Sequence, residues 1–208
     1  MKTYLFDFDG TLVDSMPTFS SVMLKILDEF NIKYEPDIVK IITPLGYEGT
    51  AKYFRTLGIG LSVEELLKKM NSYASKEYAE NIPLKPHVKD ALIRLKNKGD
   101  SLNILTASPH SMLDVCLKRV GVYDLFTNVW SCDDFALTKA NPEIYKLAAK
   151  KLGKNTEDII FLDDNLTALK TAKLSGMKVY GVYDASSIDY AEEIRCIADK
   201  YLEDFSNL

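Results

Sequence analysis

The chain has 208 residues, 47% hydrophobic and 27% charged, with a formal net charge of −4. That is an ordinary globular composition, with apolar material for one medium domain or for a core domain carrying a smaller one. The acidic balance excludes the basic footprint of a nucleic-acid binder, and no apolar run approaches the ~20 residues of a membrane span.

Met1-Lys2-Thr3 leads straight into a candidate strand without a secretory cleavage pattern. Cys116, Cys132 and Cys196 are widely spaced, so reduced thiols in a cytoplasmic protein are expected. His87 and His110 share no ligand spacing, and no zinc site is expected. The first strand, Tyr4–Phe8, runs into Asp7 and Asp9 and then Gly10-Thr11. If the strand geometry persists, both carboxylates point to one face. Two like charges held side by side need a cation, a shared proton or a chemical task. Taken alone, the stretch also fits an ordinary Asp-Gly turn.

Residues 15–83 then read as helical. Phe19, Val22, Met23, Ile26, Leu27 and Phe30 form one apolar stripe. Ser62 with Glu65 three residues on is a capping-box pattern, introducing Val63, Leu66, Leu67 and Met70. Between them, Thr43-Pro44-Leu45-Gly46-Tyr47-Glu48-Gly49 has the residues of a shaped turn. Tyr47 and Glu48 are candidates to hydrogen-bond a hydroxyl-bearing substrate, with Lys52 and Arg55 on the next helix for a second anionic group. Ser15-Met16-Pro17 and Ile82-Pro83-Leu84-Lys85-Pro86 mark departure and return. A helical insertion joined by two adjacent crossings is placed to act as a lid.

After the insertion, strand and helix alternate. Val88, Ala91, Leu92 and Leu95 share a helical face, with Gly99 at the exit. Strands follow at Ser101–Thr106 and Asn128–Cys132. Asn141-Pro142 opens a helix that Gly153 closes. Ile159–Leu162 is a strand, Leu166, Leu169 and Ala172 a helical face before Gly176, and Lys178–Tyr183 another strand. A final helix carries Ile194, Ile197, Ala198 and Tyr201. The expected fold is α/β: a Rossmann-like parallel sheet core, residues 1–14 and 84–208, with an inserted α-helical cap, residues 15–83.

In a parallel sheet the carboxyl ends line one edge, where ligands bind. That edge gathers Asp7 and Asp9, Thr106 and Ser108, Asp133 and Asp134, Asp163, Asp164 and Asn165, and Asp184. Unneutralised, such a cluster repels itself by several kcal/mol at effective dielectrics near ~20. A hard divalent cation, Mg²⁺, is the natural remedy, sharing its shell with a phosphate. Lys139 is the obvious basic partner. Together these parts suggest phosphoryl transfer: one aspartate attacks, its neighbour moves protons, and Thr106 with nearby amides holds the remaining oxygens.

The motifs "DFDGTLVDS", "LTAS", Lys139 before "ANPEIY", and "FLDDN" occur in the order seen in the haloacid dehalogenase-like superfamily. The chain resembles its phosphatase branch with a small helical cap, the phosphoglycolate phosphatase and β-phosphoglucomutase-like members, over essentially its whole length. The resemblance implies Asp7 as nucleophile and Asp9 as general acid/base, with the Asp9 main-chain carbonyl also on Mg²⁺. It implies Thr106 and Lys139 on the phosphoryl group, and Asp164 with Asp163 beside it on the metal. Gly10 and Thr11 would shape the nucleophile's loop, and Ala107 would offer a backbone amide.

Departures are informative. Ala140 stands where many relatives have proline, and Asp163-Asp164 where many read Gly-Asp. Members that dehalogenate lack the second aspartate, so Asp9 argues against that reaction. Phe19 replaces the cap histidine of the mutases, and residues 43–49 contain no arginine, which favours hydrolysis. The expected protein is a Mg²⁺-dependent phosphatase of a small phosphorylated metabolite, monomeric or weakly dimeric, without nucleic-acid or membrane partners. A phosphosugar mutase and a catalytically silent binding module are the alternatives.

Overall fold

A computed structural model describes residues 1–208 apart from the side chain of Pro44. Strand β1 (Thr3–Phe6) is buried along its whole length. The chain then runs through α1 (Met16–Glu29), α2 (Ile38–Ile42), α3 (Gly46–Thr56) and α4 (Val63–Glu80). It continues as α5 (Val88–Asn97), β2 (Ser101–Thr106), α6 (His110–Arg119), β3 (Asn128–Ser131), α7 (Glu143–Leu152) and β4 (Ile159–Asp163). It ends with α8 (Leu166–Leu174), β5 (Lys178–Val182), α9 (Ala191–Ile197) and β6 (Lys200–Leu202).

The chain divides into two compact units, residues 1–14 with 83–208, and residues 15–82. In the first, six parallel strands form one sheet in the order β3-β2-β1-β4-β5-β6. This is the doubly wound order, whose winding reverses between β1 and β4, the crevice where such sheets take their ligands. Phe6 stands opposite both Ile104 of β2 and Leu162 of β4. Asp7 N donates to Leu162 O at 2.8 Å, which brings the end of β1 level with the end of β4. Leu5, Phe161, Val179, Ile144, Tyr145 and Leu169 join sheet to helices in one buried cluster.

The second unit has its own core. Val22, Met23, Ile26 and Leu27 of α1 pack with Phe54 of α3 and Leu66 and Met70 of α4. Helix α4 starts as expected: Ser62 Oγ accepts from Glu65 N at 3.2 Å and Glu65 Oε2 accepts from Ser62 N at 2.7 Å. The stretch read as a shaped turn, residues 43–49, is instead a short 3-10 turn, Thr43–Leu45, followed at once by α3. Gly46 sits at the helix terminus, where glycine costs little. Tyr47 and Glu48 therefore lie in the first turn of the helix that also carries Lys52 and Arg55.

Two further boundaries differ from the sequence reading by two residues or more, while β3, β4 and β5 end one residue from their expected ends. β1 stops at Phe6, because the chain curls so that both Leu12 N and Val13 N donate to Phe8 O, at 2.9 and 3.1 Å. The last helix ends at Ile197, and Tyr201 belongs to a sixth strand. Asp199 makes the switch: its amide donates to Val179 O and its carboxylate accepts from Val179 N, both at 2.8 Å. A three-residue edge strand is too short to show a period. Gly181 permits the close packing there, since a Cβ on it would lie 2.3 Å from Ile194 Cγ2 and 3.0 Å from Tyr201 Cδ2. Among the described residues no helix is long and apolar enough to cross a membrane.

Candidate active site

The acids that meet are those at the ends of β1 and β4. Asp7, Asp163 and Asp164 are all buried, and each offers an oxygen within 4.8 Å of the others. At that separation two carboxylates repel by about 3–4 kcal/mol at an effective dielectric of ~20. One cation is built in: Lys139 Nζ lies 2.7 Å from Asp7 Oδ1 and 2.7 Å from Asp163 Oδ2, its side chain 14% exposed. Tyr145 holds this lysine from behind, the one proton of its hydroxyl shared between Lys139 O and Ala168 O, both at 3.1 Å. A phenol on a buried helix face must find an acceptor, and here the acceptor is the backbone of the site.

Three carboxylates against one ammonium leave two negative charges uncompensated. The titration of Asp7 and Asp164 reflects this. Burial, set against the pull of Lys139 and reinforced by Asp163, pushes Asp7 up to about 6. Burial, then the charges of Asp163 and Asp7, holds Asp164 well above the usual carboxylate range. Burial alone would lower Lys139, but Asp163 and Asp7 outweigh it and keep the ammonium charged. Asp7 Oδ1, although ion-paired, has no hydrogen bond of good geometry. A buried cluster of three carboxylates around one ammonium, with an under-bonded carboxylate oxygen and two acids that resist ionising beside each other, fits a hard divalent cation. Asp163 is the most fully occupied of the three, accepting from Asn165 N at 2.7 Å as well as from Lys139.

The loop after β1 wraps this cluster. Thr11 Oγ1 donates to Asp164 Oδ1 at 3.1 Å. Gly10 has φ +72°, and a Cβ there would lie 2.8 Å from Cγ and both oxygens of the Asp164 carboxylate. Only glycine allows that approach in that conformation. The curl also separates the two aspartates of the first motif. Half-buried Asp9 accepts through Oδ2 a short hydrogen bond from Ser108 Oγ, beyond the end of β2, and lies outside the three-carboxylate group. Thr106 is buried at the end of β2, its Oγ1 accepting from Ser108 N at 3.2 Å, and Ala107 between them is exposed.

Other edge residues go elsewhere. Asp134 caps Ser131 N at 3.0 Å and faces His110 Nε2 at 2.9 Å, and Asp133 is exposed. Asp184 pairs with Lys85 at 2.8 Å. Tyr47 and Glu48 belong to the helical unit, where the Tyr47 ring packs edge-on against Phe19 at 5.4 Å and Glu48 pairs with Lys52 at 2.5 Å. Sequence reasoning gave Tyr145 and Lys85 no role. The first reads as one more apolar residue on α7, and the second as a charge between two prolines.

A family model for haloacid dehalogenase-like hydrolases matches residues 4–182. The pyrophosphatase PpaX of Bacillus velezensis is 29% identical over 206 residues, covering 98% of this chain and 93% of that one. A phosphorylated carbohydrates phosphatase of Thermotoga maritima is 26% identical over 184 residues, 88% of this chain and 85% of that one. Among solved structures, a β-phosphoglucomutase-like protein of Thermotoga maritima superposes with a TM-score of 0.84 at 24% identity. It covers 97% of this chain and 94% of that chain, a likeness of fold.

Proposed function

The chain belongs to the haloacid dehalogenase-like hydrolase family, and on that premise we propose that it is a Mg²⁺-dependent phosphatase of small phosphorylated metabolites. The observation that carries the reading is Asp7 buried among Asp163, Asp164 and the shared Lys139. A carboxylate so placed is a nucleophile for phosphorus. Asp7 attacks, the bond to the leaving oxygen breaks, and Asp9 delivers the proton that oxygen takes up. Water then attacks the aspartyl-phosphate, and Asp9 accepts the proton that water gives up. Mg²⁺ would be held by Asp7 and Asp164 with the Asp9 carbonyl, Asp163 assisting, and it would supply neutralisation of charge on the phosphoryl oxygens. Lys139 adds a fixed positive charge, while Thr106 and the Ala107 amide hold the remaining oxygens.

The bond from Ser108 keeps Asp9 out of the carboxylate cluster, so that one aspartate can attack while the other handles protons. Residues 1–14 and 83–208 would be the catalytic core, and the helical unit a cap that excludes water and reads the leaving group through Tyr47 and Glu48 of α3. Of the relatives, one is named for phosphorylated carbohydrates and one for pyrophosphate, which supports a small phosphorylated substrate. The mutase reading draws on likeness of fold alone, and Phe19 and the arginine-free 43–49 stretch count against it.

The test is phosphate release from a generic aryl phosphate, then from a panel of phosphorylated metabolites, with and without Mg²⁺. Mg²⁺-dependent release is expected. Isomerised sugar phosphate without free phosphate would establish the mutase instead, and no turnover of any compound would defeat both.

A further inference from the structure

Lys85 lies immediately after the chain returns from the helical unit, and its backbone is stitched to the loop that wraps the site. Asp14 N donates to Pro83 O at 3.0 Å, Lys85 N donates to Leu12 O at 2.9 Å, and Val13 bridges Leu84. The side chain, 13% exposed, turns inward. Nζ donates to Gly10 O and to Tyr183 O, each at 2.5 Å, and to Asp184 Oδ2 at 2.8 Å. An ammonium has three N–H donors, and here three acceptors from two separate segments meet them.

We propose that Lys85 is a positioning residue that ties the Asp9–Thr11 loop to the end of β5 and so sets the rate of phosphoryl transfer. Gly10 needs such a tie. Its backbone is the softest in the loop, and its peptide joins Asp9 on one side to Thr11 on the other. Because the peptide is a rigid plane, holding Gly10 O fixes the rotation of the Gly10–Thr11 unit. Thr11 is then aimed at Asp164, and Asp9 is held where its carboxylate meets Ser108. The loop is thereby anchored at two exits of the sheet: by Thr11 after β4 and by Lys85 after β5. Asp184 balances the ammonium, itself buried and held by Ser186 N at 2.9 Å. A lost anchor would let the reacting groups drift, and a misplacement of ~1 Å can cost about 10²-fold in rate.

The consequence for rate rests on the phosphatase reading; the geometry does not. The experiment compares wild type, Lys85→Met and Lys85→Arg by kcat and KM on an aryl phosphate at saturating Mg²⁺, and by amide hydrogen exchange over residues 9–13. Lys85→Met is expected to lower kcat about tenfold or more with KM within about twofold, and to speed exchange in the loop. Lys85→Arg keeps a positive charge opposite Asp184 and the melting temperature, but its planar fork cannot serve the three acceptors, so kcat stays low. Wild-type kcat in the arginine variant, or unchanged exchange in both variants, would overturn the proposal. If Lys85→Met fails to fold, the arginine variant alone decides. If the wild type releases no phosphate, the phosphatase reading falls, and exchange alone judges the tie.

Discussion

Replacing Gly10 by alanine tests how closely the loop is built against the carboxylates, with Gly153→Ala as its control. Both glycines have positive φ, +72° and +63°, so both alanines carry the left-handed backbone cost of about 1–3 kcal/mol. For a chain of this size that is a drop in Tm on the order of 2–12 °C. At Gly153 nothing lies within 4 Å of the added Cβ. At Gly10 the Cβ would stand 2.8 Å from three atoms of Asp164. Ordinary carbon contacts begin near ~3.5 Å, so the carboxylate must retreat by about 0.7 Å or the loop must lift. Asp164 is 6% exposed and bonded to Thr11, so either movement breaks that bond and displaces an oxygen of the carboxylate cluster. Gly10→Ala is therefore expected to lose about 10²-fold in kcat, while Gly153→Ala melts lower and keeps wild-type kcat. Thermal melts and initial rates of aryl phosphate hydrolysis, run well below either melting point, read both quantities. Equal rates in the two variants would refute the reasoning, because the contact with Asp164 would then carry no weight.

Three other perturbations have defined outcomes. Lys139→Met leaves Asp7 and Asp163 without their ammonium, and breaking a buried pair costs about 3–5 kcal/mol. Melts in chelator should fall by about 10 °C and activity should vanish. Gly181→Ala drives a methyl to 2.3 Å from Ile194, and the overpacking should cost about 1–3 kcal/mol in Tm measurements with kcat unchanged. Hydrogen bonds that the His110 ring donates to Asp114 and then to Asp134 hold it above its ordinary 6.5. Its stabilisation is thus full below the unfolded pKa and lost as pH rises through the folded one. Melts of wild type and His110→Gln should therefore differ most below the ordinary 6.5 and converge as pH rises above it.

The parallel sheet explains why the centre of the site was legible in sequence. Alternating strands and helices force β1 and β4 to end on one edge, so Asp7 and Asp163-Asp164 had to converge once the topology was right. What failed was local. Asp7 and Asp9 suggested a shared face, but the curl around Phe8 O sends Asp9 towards Ser108. Residues 43–49 looked like a turn because two glycines flank Tyr47 and Glu48. Gly49 instead lies where a Cβ would meet Leu45 Cβ at 2.8 Å, a close approach one turn back along the chain that the glycine alone does not distinguish from a turn. β6 pairs through Asp199 and leans on Gly181, both invisible to periodicity. Lys85 escaped because its partners are two main-chain carbonyls and a carboxylate 99 positions away.

Rapid quenching of the enzyme during turnover of a phosphate-labelled substrate, followed by peptide mapping, tests the central claim most directly. The account predicts label on the peptide containing Asp7, absent from the Asp7→Asn variant and, with an aryl phosphate whose leaving group needs no acid, accumulating when Asp9→Asn slows the water step. Label on another residue, or wild-type hydrolysis by Asp7→Asn, would contradict it.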